Sequence, residues 1–293
     1  MGKKLVFLFL GVFIGYMLGY ETKEIFRDRL YKPFLSNFKP IDKELRTKRD
    51  LKEYKEYKEC PNESFKIFTF GQSNMTNSVE IKSSIQIPTT LFQYDWQSNK
   101  CYEYKEPLIS TSGDGGNVIT FTAAKLAKYS NSNILIIPVA INGTSVIDWA
   151  YGKVSRYHIK ILKLLKENNL DPDLMIWHQG EGDNSFEHGG LFKKTYYDAL
   201  KIILNRNNNF FPNTKFAIAL ATRCNSSEWI PVREAQQKIV ESFSNAFISV
   251  DSDKIYGNNL RYDDCHFSSD GAKQLGNEYY LSIQKNFPNF DQK

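Results

Sequence analysis

Phe65-Lys66-Ile67-Phe68-Thr69-Phe70-Gly71-Gln72-Ser73-Asn74-Met75 is an apolar run that stops at a glycine, a glutamine and a serine. A run apolar on both faces reads as a strand buried inside a sheet. A serine on the turn that follows can hold its hydroxyl open at the sheet's end.

Outward from this stretch, the same pattern recurs. Apolar runs cover residues 65–70, 134–140, 174–177, 216–221 and 246–250. Between them, residues 119–128, 159–167, 196–204 and 232–243 carry apolar side chains at helical spacing, and 271–284 closes the chain in the same way. Buried strands alternating with helices predict an α/β fold: a three-layer α/β/α sandwich, flavodoxin-like, around a central parallel sheet of about five strands. Ligands bind outside the carboxyl ends of the strands in such sheets, and the motifs below fall at such ends. The Asn-rich stretch 205–213 is expected to be a loop on the opposite side.

Near the C-terminus, Asp263-Asp264-Cys265-His266 places an Asp three residues before a His. That spacing lets the carboxylate hold the imidazole within one turn of chain. With Ser73 as nucleophile, His266 as base and Asp263 as orienter, the parts of a serine hydrolase are present; Asp264 is the rival orienter. The order Ser…Asp…His is shared with α/β-hydrolases, but the G-x-S-x-G elbow of that fold is missing.

Five blocks in order resemble the SGNH/GDSL hydrolase superfamily, in its carbohydrate-esterase branch with sialate O-acetylesterase-like proteins. They are Gly71–Met75, Gly113-Asp114-Gly115-Gly116-Asn117, Asn142-Gly143-Thr144-Ser145-Val146-Ile147-Asp148-Trp149, Trp177-His178-Gln179-Gly180-Glu181-Gly182-Asp183, and Asp263–His266. The chain departs from the branch at Asn142 (for Gly), Gly182 (for Ser) and Asp264 (for Gly). The resemblance implies a Ser73–His266–Asp263 triad and an acyl-enzyme. Oxyanion donors are expected from the Ser73 N–H, the Gly116 N–H and the Gln179 side-chain amide. Glu181 and Asp183 are expected to brace the Gln179 loop, and Asn142 and Trp149 to line the acyl or sugar pocket, with core packing an equal account of Trp149.

His178, Glu181, Asp183, Glu187 and His188 are metal-ligand types in one short stretch, but their spacing fits no helix-face signature such as H-E-x-x-H. No metal or cofactor is therefore expected. His158 and His188 read as solvent-facing.

With 293 residues, 41% hydrophobic, the chain can bury one large core. A formal net charge of +5, spread rather than striped, argues against nucleic acid as partner. Lys3 and Lys4 precede an uncharged segment, 5–20. It reads as an uncleaved membrane anchor, a cleaved signal or a buried helix; the first places the domain outside the cytoplasm. Residues 21–60 read as a charged stalk and 61–293 as the catalytic domain.

Four cysteines in an exported chain suggest two disulfides. Cys224 ends a strand and Cys265 touches the catalytic loop, so these two are paired, leaving Cys60 with Cys101. In a cytoplasmic chain all four would be free thiols. The expected function is an exported serine esterase removing O-acetyl groups from a glycan. The alternatives are an O-acyltransferase with the same triad and a silent glycan-binding module tethered to the membrane.

Overall fold

Strand β2 (Ser64–Gly71) sits inside an eight-stranded sheet and sends alternate side chains into two separate cores. Phe68 and Phe70 enter one core and Ile67 the other, all fully buried. Each such side chain contributes about 1.5–3 kcal/mol by leaving water. The computed structural model describes residues 51–61, 63–184, 190–225, 227–288 and 290.

The remaining strands are β1 (Glu56–Tyr57), β3 (Leu91–Asp95), β4 (Lys100–Glu103), β5 (Asn133–Pro138), β6 (Leu174–His178), β7 (Lys215–Leu220) and β8 (Ala246–Asp251). Their order across the sheet is β1-β4-β3-β5-β2-β6-β7-β8. From β3 to β8 all neighbours are parallel; β4 and β1 join antiparallel at one edge. Helices α1 (Ile119–Tyr129) and α6 (Ser269–Asn286) cover one face. On the other lie α2 (Val146–Ala150), α3 (Lys153–Glu167), α4 (Lys193–Phe210) and α5 (Ile230–Glu241). The three-layer parallel α/β architecture expected from the sequence is thus present, and each of its five apolar runs contributes a strand.

Three details differ. The sheet has eight strands rather than about five, because β3 extends the parallel ladder beyond β5 and the β3–β4 hairpin carries β1. Polar Gln93 and Asp95 break the apolar signature of β3, yet both are buried and bonded: Gln93 donates to the Glu103 and Lys105 carbonyls, and Asp95 accepts from the Gln97 and Ser98 N–H groups. Secondly, residues 205–210 continue α4 instead of looping, since Ile203, Leu204, Asn207 and Phe211 keep burying one face. Thirdly, residues 51–60, expected in the stalk, pack on the domain. Tyr54 is buried and donates its hydroxyl to the Pro107 carbonyl (2.7 Å), and Tyr57 packs edge-on against Phe92.

The segment 5–20 and the rest of the expected stalk lie outside the described residues. Among the described residues, no helix is long and apolar enough to cross a membrane.

From β2 the chain builds β3 to β5 on one side, then crosses to β6 on the other. The carboxyl end of β2 is therefore the switch point of the sheet, where a crevice opens between the ends of β5 and β6.

Candidate active site

Gly71 ends β2 at φ +129°, and a Cβ there would lie 2.1 Å from the His178 carbonyl oxygen. Only glycine lets the strand end press so closely on β6. The Gln72 N–H then bonds the same carbonyl (3.0 Å), and residues Ser73–Met75 form a single 3-10 turn. Ser73 opens that turn, the position whose N–H has no partner within a helix. Its carbonyl is gripped by both the N–H (2.9 Å) and hydroxyl (2.8 Å) of Thr76, which fixes the turn.

His266 lies on the loop between β8 and α6. An antiparallel bridge between Arg261 and Phe267 closes this loop, and the Tyr262 N–H bonds the His266 carbonyl (3.0 Å). Buried Arg261 donates to the carbonyls of Ile255, Ser252 and Cys265. Asp263 takes the His266 N–H on Oδ1 and the ring Nδ1 on Oδ2, both at 2.6 Å. Burial pushes the Asp263 carboxyl up, but the bonds from His266 and from the Cys265 N–H outweigh it and hold the group below the usual carboxylate range. Asp264 occupies the exposed tip at φ +64°, so Asp263 is the partner of the imidazole.

Three contacts stitch the serine turn to the histidine loop. Asn74 Nδ2 donates to the Cys265 carbonyl (3.2 Å), the Glu80 N–H to the Phe267 carbonyl (3.2 Å), and the Tyr262 hydroxyl to the Ser78 carbonyl (3.5 Å). Beneath them runs a buried chain: Asn74 Nδ2 donates to Glu181 Oε1 (2.7 Å), which also meets His178 Nε2 (3.2 Å), while His178 Nδ1 meets the Tyr279 hydroxyl (2.9 Å). Burial raises the Glu181 carboxyl. The His178 hydrogen bond and charge, with the Asn74 donor, more than reverse that and bring it to about 2. Glu181 is thus a carboxylate sealed under the site.

Several expected roles are redistributed. Gln179 is fully buried, and its Nε2, with two hydrogens, is enclosed by three acceptors: Gln72 Oε1 (3.1 Å), the Thr144 carbonyl (3.2 Å) and Asp183 Oδ2 (2.8 Å). The single hydrogen of the Tyr196 hydroxyl is within reach of both its carbonyl (2.7 Å) and its Oε1 (2.9 Å). Gly116 is likewise engaged, exchanging N–H···O bonds with Val79 at 3.0 and 3.1 Å. Trp149 is fully buried against Phe70 and Trp177 and donates its indole N–H to Thr144 Oγ1 (3.0 Å), so it packs the core rather than lining a sugar pocket. Asp183 Oδ2 takes the Val146 N–H at 2.9 Å and lies 2.8 Å from Gln179 Nε2. Asn142 stands half-buried beside the serine turn, its side-chain amide within hydrogen-bond distance of Thr76 Oγ1 (2.5 Å) and Ser78 Oγ (3.3 Å).

A family model described as carbohydrate esterase, sialic acid-specific acetylesterase, matches residues 64–285. The chain belongs to this family. The esterase is by that membership a carboxylic ester hydrolase acting on O-acetyl esters of carbohydrate. No curated protein matches it in sequence. Among solved structures, it is similar to a protein from Arabidopsis thaliana at TM-score 0.62, 18% identity, 76% of this chain and 99% of that one. A putative GDSL-like lipase from Parabacteroides merdae matches at 0.51, with 16% identity and coverages of 75% and 96%. A family two carbohydrate esterase from Clostridium thermocellum matches at 0.52, with 11% identity and coverages of 78% and 67%. At these identities the likeness concerns the fold.

Two residues of the esterase's site escaped the sequence reading. Gly143 sits at the exposed tip of the turn after β5, at φ +65°, with nothing within 4 Å of where a Cβ would be. Because β5 pairs with β2, this turn stands at the carboxyl end of β2, where the Ile141 N–H and Thr144 Oγ1 both bond the Gly71 carbonyl. Tyr262, exposed, stacks on the His266 ring with centroids 6.0 Å apart. Only sheet order could have revealed the first; adjacency to Asp263 was a signal for the second.

The histidines also differ from expectation. His158 is fully buried, stacked against Phe68 and Phe70; burial first, then the Arg206 charge, lower it to about 3. Glu187 and His188 lie outside the described residues; of the other metal-ligand types in that stretch, His178 meets Tyr279 and Glu181, and Asp183 meets Val146 and Gln179. Both disulfides, Cys60–Cys101 and Cys224–Cys265, are formed.

Proposed function

We propose that the esterase hydrolyses O-acetyl groups on sialic acid-type sugars with Ser73 as nucleophile. The observation that carries this reading is the Asp263–His266 pair, held by the loop that Asn74 ties to the serine turn. His266 Nε2 takes the Ser73 proton as Oγ attacks the acetyl carbonyl; Asp263 keeps the Nδ1 proton and stabilises the imidazolium. The N–H groups of Ser73 and Gly143 receive the developing oxyanion, taking the role first expected of Gly116 and Gln179. The tetrahedral intermediate collapses with loss of the sugar hydroxyl, which leaves with the proton from His266. Water, deprotonated by His266, then releases acetate and restores Ser73.

The sialate preference is supported by the family's description. Two disulfides favour an oxidising compartment, and the uncharged segment 5–20 behind two lysines would hold the domain at the outer membrane surface.

The test is turnover of a chromogenic acetyl ester and of O-acetylated sialic acid by the wild-type chain, Ser73→Ala and His266→Ala. Each variant should lose roughly 10⁴-fold or more in rate while still unfolding cooperatively. Retention of a tenth of wild-type turnover by either would overturn the triad.

A further inference from the structure

A groove of about 860 Å³ lies away from the triad, between the loop around residues 85–88 and the outer faces of α1 and α6. Its upper end is Asp270, four residues past His266, and it runs down to Tyr129 at the end of α1. This volume is within the range of ligand-binding clefts, ~300–1,000 Å³.

The walls have a definite chemistry. Lys125, Lys128 and Lys273 line the groove against a single carboxylate, Asp270. Lys128 and Lys273 are exposed, and none of the three is within ion-pair distance of a described carboxylate. Lys125 is held in place by Asn277 Oδ1 and by the Tyr280 ring, with Nζ 5.4 Å from the ring centroid. Tyr129 leaves 55% of its surface in water, with Lys128 Nζ 5.3 Å from its ring centroid. Gln86 lines the groove from the loop and Gln274 from α6, where its Nε2 donates to Glu278 Oε1 (3.4 Å).

Uncompensated ammonium groups recognise carboxylates, an exposed aromatic face stacks on the C–H side of a sugar ring, and amides bond hydroxyls in both directions. A flat membrane would use the lysines but not the depth or the amides. We infer that this groove is a second binding site, for a strand of anionic polysaccharide, separate from the site of ester cleavage. The polymer class rests on the carbohydrate reading above; the groove itself does not depend on Ser73. Occupation of it would hold an acidic glycan alongside α6, whose first turn follows the His266 loop, and so keep successive esters near the triad.

The experiment uses the full chain and polygalacturonate, a polymer with a carboxylate on each sugar and no acetyl ester, beside dextran of matched length. Wild type should bind polygalacturonate with an affinity that falls steeply with salt, and dextran far more weakly. Lys128→Glu combined with Lys273→Glu should weaken polygalacturonate binding at least tenfold and flatten the salt dependence. Tyr129→Ala should weaken it severalfold. Both variants should turn over a small chromogenic acetyl ester at the wild-type rate, which separates this result from any failure of the triad. The inference is overturned if wild type does not bind polygalacturonate, if the double variant binds it as tightly, or if dextran binds equally well. It is also overturned if vesicles of phosphatidylglycerol, and not the polymer, show the charge-dependent loss.

Discussion

Asn74 and Glu181 share a 2.7 Å hydrogen bond in the buried floor of the site, 107 residues apart in sequence. The other hydrogen of the same amide goes to the carbonyl that precedes His266. One side chain next to Ser73 thus ties down the loop that carries His266. Asn74→Ala should cost about 1–3 kcal/mol of stability, since a carboxylate and a carbonyl lose a buried donor. It should also lower kcat roughly tenfold or more with little change in KM, because the loop is then free to shift. Denaturant unfolding and steady-state kinetics on the same preparation check both; wild-type kcat in a destabilised variant would show that the loop needs no such tie.

Glu181 predicts how stability responds to acid. Its carboxyl lies at about 2 in the folded protein, below the ordinary 4.5. A depressed carboxyl stabilises the fold above its unfolded value and loses that contribution as pH falls toward the folded one. Stability should therefore decline between about pH 5 and pH 2, and Glu181→Gln should decline less steeply over the same window. Asp263 and Asp251 are lowered too, so the comparison between the two chains, rather than either curve alone, isolates Glu181. Parallel curves would mean that the carboxyl is not ionised in the fold.

Gln179→Ala separates a scaffold from an oxyanion donor. Removing the amide strips a donor from Gln72, Thr144 and Asp183 and leaves a buried carboxylate short of a partner. A loss of about 3 kcal/mol is expected, with kcat per folded molecule falling less than tenfold. A loss of roughly a hundredfold in kcat at unchanged stability would restore the donor role. Thermal unfolding, used to correct the active fraction, decides between them.

Reduction of Cys224–Cys265 should lower activity before it unfolds the domain. The bond anchors the His266 loop to the chain beyond β7, whereas the two apolar cores hold the sheet independently. Activity and near-ultraviolet circular dichroism followed through a dithiothreitol titration provide the check. Coincident loss of both would make the bridge structural throughout.

Five of the six parallel strands were legible because each is a short apolar run, a pattern that survives in sequence alone. β1, β3 and β4 were not: β1 has two residues, and Gln93 and Asp95 satisfy their polar groups through partners that no local pattern reveals. The triad candidates were legible since Asp263 and His266 are near neighbours and Ser73 follows a clear strand. The place of the Gly143 turn at the end of β2 was not, because it depends on β5 pairing with β2. Trp149 was ambiguous for a plain reason: an aromatic residue has the same letter in a pocket and in a core.

Both disulfides join cysteines that are consecutive along the chain, Cys60 to Cys101 and Cys224 to Cys265, each across 41 residues. A chain threaded through a membrane from its N-terminus therefore presents each cysteine's native partner as the next thiol to emerge. The first pair can close before the second has been delivered, so oxidation during transport yields the native pairing without reshuffling. Folding in the oxidising compartment should then require an oxidant but no disulfide isomerase.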